Sequence, residues 1–152
     1  MRPPDAADGS GVWLRPTTVD DLTVLYEFQA DPVGAEMAAF PSRDWPTYLA
    51  HQTGVIAAPP TVKMTVLVGA EIDGDMGCWG AQGAREVGYW IGREFWGRHI
   101  ATDALRLFLD VVSDRPLRGY VVPSNPASQK VLLSCGFVET GVDGEHLVFT
   151  LR

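Results

Sequence analysis

The sequence contains little cysteine and little histidine, and neither residue type is arranged for chemistry. Its 152 residues include 2 cysteines and 3 histidines, and their spacing matches no metal site, redox pair or catalytic triad. We therefore predict no metal site. Cys78 and Cys135 are expected to be buried thiols in a reducing cytoplasm, with a catalytic cysteine as the alternative.

Long apolar runs are also missing. No segment approaches the length of a membrane span, and the first residues, MRPPDAADGSG, lack the apolar stretch of a signal peptide. We predict that residues 1–11 form a flexible leader and that residues 12–152 form a single domain. No membrane partner is expected, and the predicted location is the cytoplasm.

Positive charge is scarce relative to negative charge. The chain has 12 Lys and Arg against 19 Asp and Glu, a formal net charge of −7. Such a chain repels nucleic acid, so no nucleic-acid partner is expected, and a cationic substrate suits its field better. Hydrophobic residues make up 46% of the chain, which is enough for the core of one domain.

Strand-like and helix-like segments follow one another in mixed order, which predicts one α+β domain. Thr18 and Asp21 form a capping-box-like helix start, and Asp31-Pro32 ends that helix. The stretch from 31 to 60 is the least patterned, and it is expected to line an acceptor site. The predicted elements are a strand at 12–17, a helix up to Asp31, a helix at 45–56, an antiparallel meander at 62–68, 71–81 and 85–91, a helix at 100–113, a strand at 117–122, a helix at 126–135 and a closing hairpin.

The last strand of the meander and the strand at 117–122 flank a strongly apolar helix. This order predicts that the two strands are parallel neighbours joined by a right-handed crossover. Gly88 lies inside the first of them, and a glycine within a strand indicates a bulge or a ligand close to the backbone.

The segment EFWGRHIATDAL, residues 94–105, joins this strand to the apolar helix without an Asp, Ser, Thr or Asn in the cap position. An uncapped helix start leaves N–H donors and a partial positive charge for an external anion. Gly97 allows close approach, and Arg93 and Arg98 add positive charge. The pattern indicates a phosphate cradle, and the alternative is a plain turn with solvated arginines.

Three segments resemble a known family. YWIGREFWGRHIATDALRLFL is similar to the cofactor-binding segment of GNAT N-acetyltransferases, NPASQKVLLSCGF to the segment that follows it, and LRPTTVDDL to the first strand and helix. The resemblance covers roughly residues 12–151. It is closest to the branch that includes the ribosomal-protein alanine N-acetyltransferases.

The resemblance implies acetyl-CoA as cosubstrate and a GNAT-like domain. Such a domain has a mixed, mostly antiparallel sheet flanked by helices, with a splayed parallel strand pair at the cofactor site. It implies that the amides of residues 97–102 bind the pyrophosphate and that residues 89–91 pair with the pantetheine arm. The residues implied to bind acetyl-CoA are Tyr89, Trp90, Ile91, Arg93, Gly97, Arg98, His99, Ile100, Ala101, Thr102, Asn125, Ser128 and Lys130.

Two departures from the family pattern bear on cofactor binding and catalysis. His99 stands where the family usually has glycine, so a side chain enters a crowded loop and is expected to weaken cofactor binding. Leu132 stands where many members have a tyrosine acid. Ser128 replaces it as the candidate acid, with simple helix capping as the alternative.

Glu86 is the candidate base, because strand alternation puts it on one face with Gly88 and Trp90. Its alternative interpretation is an exposed carboxylate paired with Arg85 or Arg106. The predicted function is an acetyl-CoA-dependent N-acetyltransferase that acts on a primary amine of a small molecule or peptide, by direct attack in a ternary complex. A non-catalytic acyl-CoA-binding or regulatory module and a plain interaction domain are the alternatives. A monomer or homodimer is expected.

Overall fold

The computed structural model describes residues 11–152, so the predicted leader lies outside the described residues except for residue 11. Seven strands form one sheet in the order β1-β2-β3-β4-β5-β7-β6, and within it only β4 and β5 are parallel. The strands are β1 (Val12–Pro16), β2 (Val62–Val68), β3 (Glu71–Trp79), β4 (Arg85–Ile91), β5 (Leu117–Val121), β6 (Val138–Asp143) and β7 (His146–Leu151); the helices are α1 (Leu22–Ala30), α2 (Pro32–Ala38), α3 (Trp45–Ile56), α4 (Ile100–Val111) and α5 (Pro126–Ser134).

This architecture confirms the predicted single α+β domain with a mostly antiparallel sheet. The main difference is α2, which the sequence analysis missed. The Asp31 carboxylate caps this helix by accepting a hydrogen bond from the Val33 amide at 3.3 Å, and Pro32 occupies the first turn. Asp31-Pro32 therefore ends one helix and begins another.

One face of the sheet carries the main apolar core. Alternate residues of β3 and β4, including Met76, Cys78 and Val87, pack against Leu105 and Phe108 of α4. Each such large side chain contributes roughly 1.5–3 kcal/mol on burial. This packing fixes the position of α4, and hence of its first turn, relative to β4.

The opposite face carries α1 and α3, and a polar network joins the start of α1 to the sheet. Both terminal guanidinium nitrogens of Arg15, Nη1 and Nη2, donate to the Asp21 carboxylate, at 2.6 and 2.7 Å. The Thr65 hydroxyl also donates to this carboxylate, and the Thr18 amide closes the predicted capping box at 2.9 Å. The network fixes the start of α1 on β1 and β2.

The parallel pair is splayed, as predicted. Strands β4 and β5 pair only at Arg85 with Leu117 and at Glu86 with Arg118. On its other side β4 stays paired with β3 as far as Ile91. The edge of β4 that faces β5 is therefore open from residue 87 onward. Among residues 11–152, no helix is long and apolar enough to cross a membrane.

Candidate active site

The splay of β4 and β5 opens a cleft. Its larger part has a volume of about 470 Å3 and is bounded by β4, the start of α4, α5 and one side of α2. A smaller part of about 120 Å3 continues toward β5. Both parts are bordered by Ala38, Tyr89, Asn125 and Ser128. The residues implied to bind acetyl-CoA that line the larger part are Tyr89, Trp90, Ile91, Gly97, His99, Ile100, Ala101, Thr102, Asn125, Ser128 and Lys130.

Arg93 and Arg98, which are also implied to bind acetyl-CoA, do not line the cleft. Arg93 is ion-paired with the Asp31 carboxylate at 3.0 Å, and the Arg98 guanidinium carbon lies 5.9 Å from the centre of the Phe95 ring. Both residues are exposed. Their charges contribute to the electrostatic potential at the cleft, but in this conformation neither side chain lines it.

The start of α4 is uncapped, as the sequence indicated. Within residues 11–152 no side chain caps this helix, and His99 occupies the cap position in the left-handed conformation, with φ of 59°. A Cβ atom added to Gly97 would contact nothing within 4 Å. Free first-turn N–H groups facing open space fit the diphosphate of a coenzyme.

The loop before α4 is anchored to the strands by two hydrogen bonds. The Gly92 amide donates to the Asp73 carbonyl oxygen at 2.9 Å, and the Trp96 indole donates to the Ile91 carbonyl oxygen at 2.9 Å. Burial of Asp73, followed by its interaction with the Glu71 carboxyl, raises the pKa of Asp73 to about 7, against an opposing effect of Arg98. The ionisable side chain of Asp73 thus belongs to a residue that contacts this loop through its backbone.

Two hydroxyl groups meet where the two parts of the cleft join. The Tyr89 hydroxyl lies 2.7 Å from Ser128 Oγ and 3.1 Å from the Ser128 carbonyl oxygen. Burial raises the pKa of Tyr89 above its usual value, although the hydrogen bond to Ser128 opposes the shift. The Asn125 side chain accepts from the Ser128 amide at 3.3 Å and so caps α5. Ser128 is therefore not the capping residue.

Glu86 pairs with an aromatic residue that the sequence analysis did not assign to the site. The Trp79 indole donates to Glu86 Oε2 at 2.8 Å, and Trp79 is 42% exposed. Arg85 instead binds Asp114 at 3.1 Å, and the other arginine suggested as a partner, Arg106, pairs with Asp103 at 3.6 Å. Neither arginine is the partner of Glu86.

The bulge suggested at Gly88 is absent. Gly88 stands opposite Gly77 in regular antiparallel register. A Cβ atom at Gly88 would come within 2.5 Å of the Trp79 ring. The glycine is needed there because the indole lies across the strand and reaches Glu86.

The fold and the cleft define the class of protein. The aminoglycoside acetyltransferase AAC(6')-Ib in complex with coenzyme A is 18% identical, with a TM-score of 0.78 over 92% of this chain and 94% of that one. The spermidine N-acetyltransferase from Vibrio cholerae, in complex with CoA and spermine, is 17% identical, with a TM-score of 0.79 over 93% and 94%. Mycobacterium smegmatis RimJ, in complex with CoA-disulfide, is 23% identical, with a TM-score of 0.71 over 92% and 81%. These likenesses show an acetyltransferase fold.

A family model described as an acetyltransferase (GNAT) domain matches residues 12–138. The chain therefore belongs to the GNAT acetyltransferase family, whose cosubstrate is acetyl-CoA. No curated protein sequence matches it significantly.

Proposed function

We propose that the protein is an acetyl-CoA-dependent N-acetyltransferase that acetylates a primary amine by direct attack in a ternary complex. The observation that carries the proposal is one continuous cleft. It runs from the uncapped start of α4 to the Tyr89 and Ser128 hydroxyls. Glu86 lies on the same strand as Tyr89 but borders neither part of the cleft. Donors for a diphosphate and groups suited to acyl transfer are thus held on neighbouring elements.

The α4 end of the cleft would hold the coenzyme. The first-turn amides from Ile100 to Thr102 and the positive end of the helix dipole suit a diphosphate. The open edge of β4 offers unpaired backbone groups to an extended arm, in the manner of an added strand. Lys130 borders the same cleft and is exposed, so it can approach a phosphate. When bound, acetyl-CoA supplies an activated acetyl thioester.

The acceptor would approach from the face of the sheet that carries Glu86. The Trp79 indole donates a hydrogen bond to Glu86 Oε2. The other carboxylate oxygen, Oε1, has no hydrogen-bond partner within residues 11–152. It can therefore accept the proton that an attacking amine must lose. Phe40 and Trp90 form an edge-to-face pair at 6.2 Å on the side of α2. These aromatic side chains would exclude water from the reacting groups.

A cationic amine is the acceptor class that the charges favour. The net charge is −7, and the Glu86 carboxylate would attract an ammonium group. Two acids of the segment 31–60 are already engaged, since Asp31 pairs with Arg93 and Asp44 caps α3 through the Thr47 amide at 2.9 Å. The spermine bound to the Vibrio cholerae enzyme supports the same class.

A non-catalytic acyl-CoA-binding module is the second candidate, and Leu132 favours it. The side chain at this position is buried and packs on Gly119, so no tyrosine acid stands there. If the protein is an enzyme, catalysis must then depend on other groups, such as Glu86 and Ser128.

An acetylation assay over a panel of amines tests the proposal, with released CoA thiol and product mass as readouts. The panel contains polyamines, aminoglycosides and peptides with an N-terminal alanine. The peptides also test the suggested relation to the ribosomal-protein alanine N-acetyltransferases. Glu86→Gln should lower turnover about 100-fold while acetyl-CoA affinity stays unchanged; Glu139→Gln, on an exposed strand, is the control.

Transfer to an amine by the parent would support the proposal. Binding of acetyl-CoA without transfer to any class of amine would favour the module instead. We also expect the protein to be a monomer or a homodimer and to be located in the cytoplasm.

A further inference from the structure

The hydrogen bond between Tyr89 and Ser128 joins two elements that border the cleft. Tyr89 belongs to β4, Ser128 belongs to the first turn of α5, and the two hydroxyl oxygens lie 2.7 Å apart. This is the usual length of an O–H···O hydrogen bond. Both residues border both parts of the cleft, so a ligand group at the junction would touch this pair.

Either hydroxyl of the pair can donate across the 2.7 Å contact, and the Tyr89 hydroxyl also lies within hydrogen-bond distance of the Ser128 carbonyl oxygen. The Ser128 carbonyl oxygen can only accept, and as part of α5 it is placed to accept the helical amide four residues later. The Tyr89 hydroxyl is closer to Ser128 Oγ than to this carbonyl oxygen, 2.7 against 3.1 Å. If Tyr89 donates to Oγ, the proton of Ser128 has no acceptor among residues 11–152 and can be given to a ligand.

We infer that Tyr89 is a positioning residue: it donates to the Ser128 hydroxyl and so directs the proton of Ser128 toward the sulfur of the bound thioester. The inference rests on the proposed function, because it requires the thioester end of the coenzyme to reach Ser128. The phenol keeps its proton, since burial raises the pKa of Tyr89.

The role assigned to Ser128 is a hydrogen bond rather than a proton transfer. The acceptor nitrogen forms a bond to the carbonyl carbon, the C–S bond breaks, and its electron pair passes to sulfur. Ser128 stabilises this charge by donating a hydrogen bond, and it keeps its proton because an alcohol is a much weaker acid than a thiol. The proton lost by the amine passes to Glu86. This assignment replaces the expectation that Ser128 acts as an acid.

The test measures the thiol of bound CoA by its thiolate absorbance in the ultraviolet as the pH is raised. A hydrogen bond to the thiolate lowers the pKa of the bound thiol, and we expect a decrease of about one pH unit relative to free CoA. Tyr89→Phe and Ser128→Ala should each abolish the decrease. The double variant should do no more than either, because the two residues act in series.

Two variants control for structural damage. Tyr26→Phe removes a tyrosine hydroxyl from α1, where the residue packs with Leu22 and Tyr48 and does not border the cleft, and it should retain the full decrease. Ser128→Thr keeps a hydroxyl at the same position and should retain most of it. If Tyr89→Phe does not fold, an unchanged thiol pKa in Ser128→Ala would still overturn the inference.

The outcomes separate the inference from the proposed function. A bound thiol with the same pKa in the parent, Tyr89→Phe and Ser128→Ala would overturn the inference while leaving coenzyme binding intact. A decrease lost in Ser128→Ala but kept in Tyr89→Phe would remove Tyr89 from the scheme. Failure of the parent to bind CoA at all would overturn the proposed function, and this inference with it.

Discussion

His99 has a backbone conformation that a side chain disfavours. Its φ of 59° lies in the left-handed region, which costs a non-glycine residue about 1–2 kcal/mol. The geometry explains why glycine suits this position and why the resemblance led us to expect one. It also gives the substitution His99→Gly a predictable effect.

We expect His99→Gly to raise the free energy of unfolding by up to about 1 kcal/mol, because relief of the strain exceeds the added chain entropy of glycine. Acetyl-CoA should bind the variant at least as tightly as the parent at pH 8, since the diphosphate gains space. Thermal unfolding and titrations at pH 6 and pH 8 measure both quantities. Weaker binding by the variant at both pH values would show that the imidazole contributes to the site.

Asp73 makes stability depend on pH in a defined direction. Its pKa is raised from 3.8 to about 7, so the folded state holds the proton more tightly than the unfolded state. Its contribution to stability is therefore complete below about pH 4 and is lost as the pH rises through about 7. The loss should exceed about 1 kcal/mol, or roughly 2–4 °C in melting temperature.

Asp73→Asn cannot ionise and should lack this decline. Its melting temperature relative to the parent should increase between pH 5 and pH 8. Asp110→Asn, on the exposed side of α4, is the matched control and should follow the parent. A constant difference between Asp73→Asn and the parent across this pH range would contradict the assignment.

At the scale of elements, we propose that β3 and β4 support the acceptor side. Gly88 lies under the Trp79 ring, and the ring holds Glu86. We expect Gly88→Ala to displace the indole, since the new Cβ would lie 2.5 Å from it. The result should be a turnover at least tenfold lower, with coenzyme affinity nearly unchanged.

Gly141→Ala is the control for Gly88→Ala, because a Cβ atom at Gly141 contacts nothing within 4 Å and the residue lies on β6. Steady-state kinetics and a coenzyme titration distinguish the two effects. Equal loss of coenzyme affinity and turnover in Gly88→Ala would point to a distorted β4 rather than a displaced Trp79.

The sequence predicted most elements because their signals are local. Strands β2 and β4 and helix α3 have the predicted bounds, each set by turn residues or a cap at the ends. Helix α2 was missed because seven residues with a buried glycine show no clear helical period. Asp31-Pro32 carried its start signal, but the pair also ends α1.

The contacts between side chains from different elements of the site could not be predicted from local sequence signals. Tyr89 and Ser128 are 39 positions apart and meet only because β4 and β5 diverge. The Trp79 contact with Glu86 depends on the register between β3 and β4. Strand alternation placed Glu86 and Gly88 on one face, but no sequence signal identified the indole that covers them.

At the scale of the whole molecule, the net charge of −7 should attract a cationic acceptor. Turnover at subsaturating acceptor should therefore fall as salt is raised, because the attraction is screened. Turnover at saturating acceptor, in the same protein, should change much less. A rate at subsaturating acceptor that is independent of salt would rule out electrostatic recruitment.

The most direct test of the account is a titration with acetyl-CoA, followed by calorimetry and by melting temperature. Gly97→Val is the test variant, because a branched side chain would fill the space in front of the α4 amides. Gly83→Val is its control: both glycines have positive φ, 79° and 86°, and neither has a neighbour within 4 Å of an added Cβ. Backbone strain is thus matched between the two variants.

We expect saturable binding by the parent, with a stabilisation of about 2.7 kcal/mol at 100 times the dissociation constant. Gly83→Val should bind like the parent, and Gly97→Val should bind at least tenfold more weakly. A parent protein that shows neither binding heat nor a rise in melting temperature at saturating acetyl-CoA would contradict the account.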